Sequence, residues 1–82
     1  MILVDIYAPS VNQNYDFNLD ENAKISLIID EISSMICQKE QCEMKGNVRE
    51  LLLVSQRLES VLSQENSLSF YNITSGEKLI LI

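Results

Sequence analysis

The chain has 82 residues, 46% hydrophobic and 22% charged, a balance that fits one small globular domain over 1–82 and excludes a disordered segment. Its formal net charge is −6, and the basic residues Lys24, Lys39, Lys45, Arg49, Arg57 and Lys78 are scattered along the sequence. Nucleic acid and anionic membrane surfaces are recognised by clustered Lys and Arg, so neither is expected as a partner.

Met1-Ile2-Leu3-Val4 is apolar, but Asp5 interrupts it, and neither a basic leader nor a small-residue cleavage site accompanies it. No targeting segment is therefore expected. Residues 2 to 7 alternate instead. That period places Ile2, Val4 and Ile6 on an inner face, and Leu3, Asp5 and Tyr7 toward solvent. The stretch from Ala8 to Asn14 contains Pro9, Ser10 and three amide side chains and reads as a turn. Tyr15, Phe17 and Leu19 then alternate with Asp16, Asn18 and Asp20, the clearest strand signal in the chain. The two strands make a hairpin.

A helix follows. Asp20 and Asn22 are residue types that cap helix starts, and Ile25, Ile28, Ile29, Ile32, Met35 and Ile36 recur at spacings of three and four. Asp30 and Glu31 precede Lys39, an order that suits the helix dipole. The segment from Ile25 to Cys37 contains Asp30, Glu31 and three serines, so it does not span a bilayer. Cys37 and Cys42 are the only cysteines, and a five-residue gap turns them to different helical faces. Two thiols without any histidine make neither a zinc site nor a nucleophile–base pair, so structural reduced thiols are expected. Gly46-Asn47 ends the helical region after a frayed stretch from Gln41 to Lys45.

Leu51 to Val54 is a continuous apolar run that reads as a strand; periodicity does not decide whether Leu52 or Leu53 faces outward. Val61-Leu62 forms a very short strand, and Gln64 to Ser67 a turn. The chain closes with Leu68-Ser69-Phe70-Tyr71-Asn72-Ile73, five residues from Thr74 to Lys78, and the apolar strand Leu79-Ile80-Leu81-Ile82. Leu79 and Leu81 are expected inward, Ile80 and Ile82 outward. Gly76 supplies a positive φ to the final turn.

These closing residues resemble the end of a ubiquitin-type β-grasp domain, whose own segment reads Leu-Ser-Asp-Tyr-Asn-Ile. The spacings are similar throughout: Leu19 to Ile25, Leu62 to Leu68 and Ile73 to Leu79 are each six positions. The resemblance covers essentially the whole chain and implies an α+β fold, ββαββ, with one helix packed on a mixed sheet. It also implies that Tyr71 ties down a neighbouring loop through its hydroxyl. Conjugated modifiers and sulfur carriers of this fold end in a flexible Gly-Gly tail. Here the last residue is Ile82, so neither role is expected unless the modifier is truncated.

Among bacterial proteins the chain resembles the YukD/EsaB family, small ubiquitin-like components of Gram-positive type VII secretion systems. The first strand Ile2-Leu3-Val4-Asp5-Ile6 carries the likeness, as does the pattern Ile73-x-x-Gly76-x-x-Leu79. It implies a cytoplasmic, non-catalytic accessory protein that needs no cofactor and no metal. Its partners would be the secretion-system membrane ATPase or other secretion components, met without insertion into the membrane. The alternative is a generic ubiquitin-like adaptor domain of another assembly. In either case Leu3, Tyr7, Ile80 and Ile82 are the expected partner-binding residues, joined by an outward leucine of the third strand. The oligomeric state is left open.

Overall fold

The computed structural model describes residues 1–40 and 51–82. Strand β1 (Ile2–Ala8) pairs antiparallel with β2 (Gln13–Leu19), and helix α1 (Ile25–Glu40) crosses to β3 (Leu53–Ser55), β4 (Ser60–Leu62) and β5 (Lys78–Leu81). The sheet order is β2-β1-β5-β3-β4, with β1 and β5 parallel and the other neighbours antiparallel. This is the mixed, helix-covered sheet of a ubiquitin-like β-grasp, as the closing residues indicated. The helical stop expected at Gly46-Asn47 and the thiol of Cys42 lie outside the described residues, whereas Cys37 is half-buried.

Period two and period three-to-four meet in one core. Val4, Ile6 and Ala8 of β1 and Leu19 of β2 face Ile25, Ile28, Ile29, Ile32 and Ile36 of the helix, all essentially buried. Leu53, Leu62, Leu79 and Leu81 complete the layer from the other strands. Burial of each such side chain contributes about 1.5–3 kcal/mol, and neither the helix nor the sheet could bury its apolar face alone. Leu53 is thus the inward leucine of the third strand, and Leu52 the outward one. The first two strands run longer than their alternation suggested, because Ala8 is buried and pairs with Gln13. Only Pro9 to Asn12 remain as the loop, closed by the amides of Val11 and Asn12 on the carbonyls of Ala8 and Pro9, with Asn12 at φ 52°.

The helix start differs from the expected cap. Asp20 turns its Oδ1 to the amide of Asn22 at 2.9 Å, which closes a local turn five residues before the helix begins. The first helical amides, Ile25 and Ser26, donate instead to the carbonyls of Asn66 and Gln64 at 2.8 and 3.1 Å. A distant loop therefore satisfies donors that a side chain would otherwise cap. No acidic residue lies in the first helical turn, so Asp30 and Glu31 sit too far along to complement the dipole strongly. Lys39 does lie in the last turn.

That same loop is held by Tyr71. Its hydroxyl oxygen accepts from Asn66 Nδ2 at 3.2 Å and from the amide of Ser63 at 2.9 Å. The Asn66 and Ser63 donors favour the phenolate and draw the phenol below its ordinary range. The residues Ser69–Tyr71 form a single 3₁₀ turn that ends on Asn72 in the left-handed conformation. Gly76 has φ 91°, as its place in the last turn required.

Candidate functional site

With the helix on one side of the sheet, the opposite face is assembled from the residues between the core positions. Strand register puts them in rows. Tyr7 lies opposite Asn14 of β2 and Ile80 of β5; Ile80 lies opposite Val54 of β3, and Val54 opposite Val61 of β4. One row across all five strands therefore reads Asn14, Tyr7, Ile80, Val54, Val61. Next to it Leu52 and Ile82 exchange both backbone hydrogen bonds, extending the β3–β5 ladder by a pair. Ile82 and Val61 are about half exposed (52% and 50%) and Leu52 38%, so the patch is open to solvent at its β3–β4 side.

On the other side of the apolar row is a charged one. Asp5 pairs with Asp16 of β2 and Lys78 of β5, and Asn14 Nδ2 approaches Asp5 Oδ1 at 3.4 Å. A depression between Tyr7, Ile80, Lys78 and Asp5 marks the boundary between the two rows. Tyr7 is pinned here, because its hydroxyl donates to Asn12 Oδ1 at 3.0 Å and so holds the ring against the hairpin end. A pre-ordered aromatic costs little entropy when a partner covers it.

The structure thus brings together Tyr7, Ile80, Ile82 and Leu52 from the expected set. It does not bring Leu3 with them. Leu3 shares the outer face and is 46% exposed, but its row contains Asn18 and the amide of Gly76, and the Asp16–Asp5–Lys78 row separates it from Tyr7. Val54 and Val61 are the two members that sequence reading missed. The signal was incomplete: Leu51 to Val54 is apolar at every position, and β4 is three residues long, so neither shows a period.

A polar network fixes the strand that carries Ile80. Arg57 Nε donates to Glu77 Oε1 at 2.7 Å, and its Nη2 reaches the carbonyls of Tyr71 and Asn72 at 3.4 and 3.3 Å. Glu77 Oε2 accepts from the Thr74 amide at 2.6 Å and hydroxyl at 3.2 Å. Burial alone would raise the Glu77 carboxyl, but the Arg57 guanidinium and the two Thr74 donors outweigh it and hold it below the usual carboxylate range. A lowered folded value means that the contribution is complete above the unfolded value of 4.5 and is lost as pH falls through the folded one. Glu77→Gln is therefore expected to cost about 1 kcal/mol at pH 7, and the difference between the two proteins should shrink as pH falls below 4.5. Thermal melts of both proteins across that range check it; parallel curves at every pH would assign the carboxylate no such role.

No protein-family model and no curated protein matches this chain in sequence. Solved structures do match in shape. The N-terminal ubiquitin-like domain in the 4931431F19Rik protein is similar with a TM-score of 0.75 and 22% identity, over 99% of this chain and 72% of that one. The UBL domain of Plasmodium falciparum Dsk2 gives a TM-score of 0.70 at 14% identity, over 98% of this chain and 93% of that one. A chain of the MycP5-free ESX-5 inner membrane complex gives a TM-score of 0.82 at 17% identity, and this chain spans 99% of itself but 20% of that chain. At these identities the likeness establishes the ubiquitin-like fold. No helix among the described residues is long and apolar enough to cross a membrane.

Proposed function

We propose that this is a non-catalytic ubiquitin-like interaction domain that takes a protein partner on the outer face of its sheet. The observation that carries the proposal is the continuous row Tyr7, Ile80, Val54 and Val61, bordered by Leu52 and Ile82. Apolar side chains gathered on a face with a polar border mark protein-binding sites more often than scattered exposure does. The partner contributes apolar side chains to the row and neutral or basic groups to the Asp5–Asp16 side. Leu3 lies across the charged row and contributes only to an interface wide enough to span it.

The assembly we favour is a type VII secretion system, in which the domain acts as a cytosolic accessory component. Two observations support this reading: the first-strand and Ile73-x-x-Gly76-x-x-Leu79 resemblance, and the similarity to a chain of an ESX-5 inner membrane complex. The second reading, a generic adaptor of another assembly, is favoured by the ubiquitin-like domains of the 4931431F19Rik protein and Dsk2. A photo-crosslinking residue placed at Val61 in the native cells tests both, with Ser34 on the exposed side of the helix as the control position. Position 61 is expected to capture one protein that position 34 does not. A secretion ATPase or another secretion component as that protein supports the first reading, and a component of a different assembly the second. Equal labelling from both positions would overturn the sheet face as the site.

A further inference from the structure

The two edges of the sheet are unlike. At one, β4 has three residues, too few to template another strand. At the other, β2 runs for seven residues in unbroken register with β1, without a bulge, a proline or a basic side chain. Those are among the devices that blunt an edge, and the one charge that β2 carries is the acidic Asp16. Among the described residues no strand covers this edge.

The hydrogen bonds of β1 tell which groups the edge offers. The amide of Asp5 donates to the carbonyl of Glu77 and the carbonyl of Leu3 accepts from Gly76, so odd-numbered residues of β1 turn their backbone toward β5. Even-numbered residues of β1 therefore bond β2, at Leu19, Phe17, Tyr15 and Gln13. The remaining residues of β2, Asn14, Asp16 and Asn18, turn their amides and carbonyls outward. Their side chains stand exposed on the outer face, where Asp16 adjoins Asp5. On the helix side the edge presents the half-buried rings of Tyr15 and Phe17, 5.9 Å apart, with Lys39 Nζ of the helix 5.3 Å from the centre of the Tyr15 ring.

We infer that β2 is a docking edge for an extended segment of a partner protein in which basic and apolar residues alternate. Strand addition satisfies the outward backbone groups, and the alternation follows from the two faces of the edge. A side chain on the outer face meets Asn14, Asp16 and Asn18, with Asp5 behind them, and is matched by Lys or Arg. The next side chain along meets Phe17 and is matched by an aliphatic group. A second copy of this chain fits poorly, because pairing β2 with itself sets Asp16 near Asp16 between chains of net charge −6. The edge meets the sheet face at Asn14 and Asp16, but strand addition is read at the outward amides of β2 and the apolar row at Ile80 and Val61, so the two proposals fail separately.

The test uses the isotope-labelled 82-residue chain and a blocked synthetic peptide, Lys-Val-Lys-Val-Lys-Val-Lys, followed by amide hydrogen exchange. Exchange at Asn14, Asp16 and Asn18 is expected to slow at least about tenfold with saturating peptide. The Glu-Val counterpart should give no such protection. Asp16→Pro removes one outward amide from an edge position that tolerates proline, and should abolish binding while the fold persists. Asp16→Lys keeps the backbone donors and should reverse the preference toward the Glu-Val peptide, which decides the matter if the proline variant fails to fold. Absence of protection at these three amides, or unchanged Lys-Val binding by Asp16→Lys, would overturn the proposal. Concentration-dependent dimerisation that buries the same amides would replace the partner strand by a second copy.

Discussion

Replacing Leu79 by lysine is expected to unfold the protein at 25 °C and neutral pH. Leu79 is 1% exposed on β5, between Ile6 of β1 and Ser55 of β3, and points at the helix layer. Removing a buried leucine of this kind costs about 2–5 kcal/mol before anything is put in its place. The ammonium adds a desolvation cost, because the apolar core cluster that Leu79 belongs to offers it no counter-charge. A chain of 82 residues has about 4–12 kcal/mol of total stability, so the sum reaches or exceeds all of it. Leu79→Ala, which pays the first term without the second, should remain partly folded with a depressed melting temperature. The lysine variant has a further signature. Burial lowers the folded pKa of lysine below its unfolded value, so the unfolded state binds the extra proton and stability rises with pH. Circular dichroism should show partial refolding as pH approaches about 10. A Leu79→Lys variant with a wild-type melt at pH 7 would mean that β5 does not face the core.

How much of this was legible beforehand follows from the reach of each signal. Alternation in Ile2 to Tyr7 and in Tyr15 to Asp20, and the helical spacing from Ile25 to Ile36, are local patterns, and each survives in the structure. Gly76 was readable because a positive φ needs glycine, and Tyr71 because its segment resembles the end of a ubiquitin-type domain, whose tyrosine ties down a loop as this hydroxyl does at Ser63 and Asn66. The failures are all non-local. Asp20 has the chemistry of a helix cap, yet the helix amides go to Asn66 and Gln64, which no nearby residue announces. Arg57 and Glu77 look like ordinary surface charges until β5 is threaded between β1 and β3.

The candidate face shows the same division. Which side of β1 and β5 meets solvent was set by Asp5 and by the alternation of Leu79 to Ile82. Which outward residues touch one another depends on register between strands far apart in sequence. Asp5 opposite Lys78 is what separates Leu3 from Tyr7, and Ile80 opposite Val54 is what admits two valines to the row.

Ile80→Lys is the counterpart of the core substitution, one residue along the same strand, and is expected to fold. Ile80 is half-buried by its cross-strand neighbours Tyr7 and Val54 on the face away from the helix. A lysine there can lay its methylenes along those neighbours and hold its ammonium in water. The loss of a branched aliphatic between two strand partners costs about 1 kcal/mol, a few degrees in melting temperature. Its effect on a complex is larger. Position 80 is the middle of the row, flanked on both sides by apolar side chains, the place where a partner's anchor is most fully desolvated. An ammonium set there must lose its water or keep the partner away, which is expected to weaken binding by about 1–3 kcal/mol, or roughly 5- to 150-fold in Kd. Leu3→Lys, across the charged row, serves as a matched surface control and should change Kd by less than about threefold if the interface stops at Asp5. The measurement is titration calorimetry of both variants against whichever protein crosslinks to position 61. Unchanged affinity in a folded Ile80→Lys variant would remove the apolar row from the interface, and equal losses at positions 3 and 80 would extend the interface over the charged row to the far end of β1.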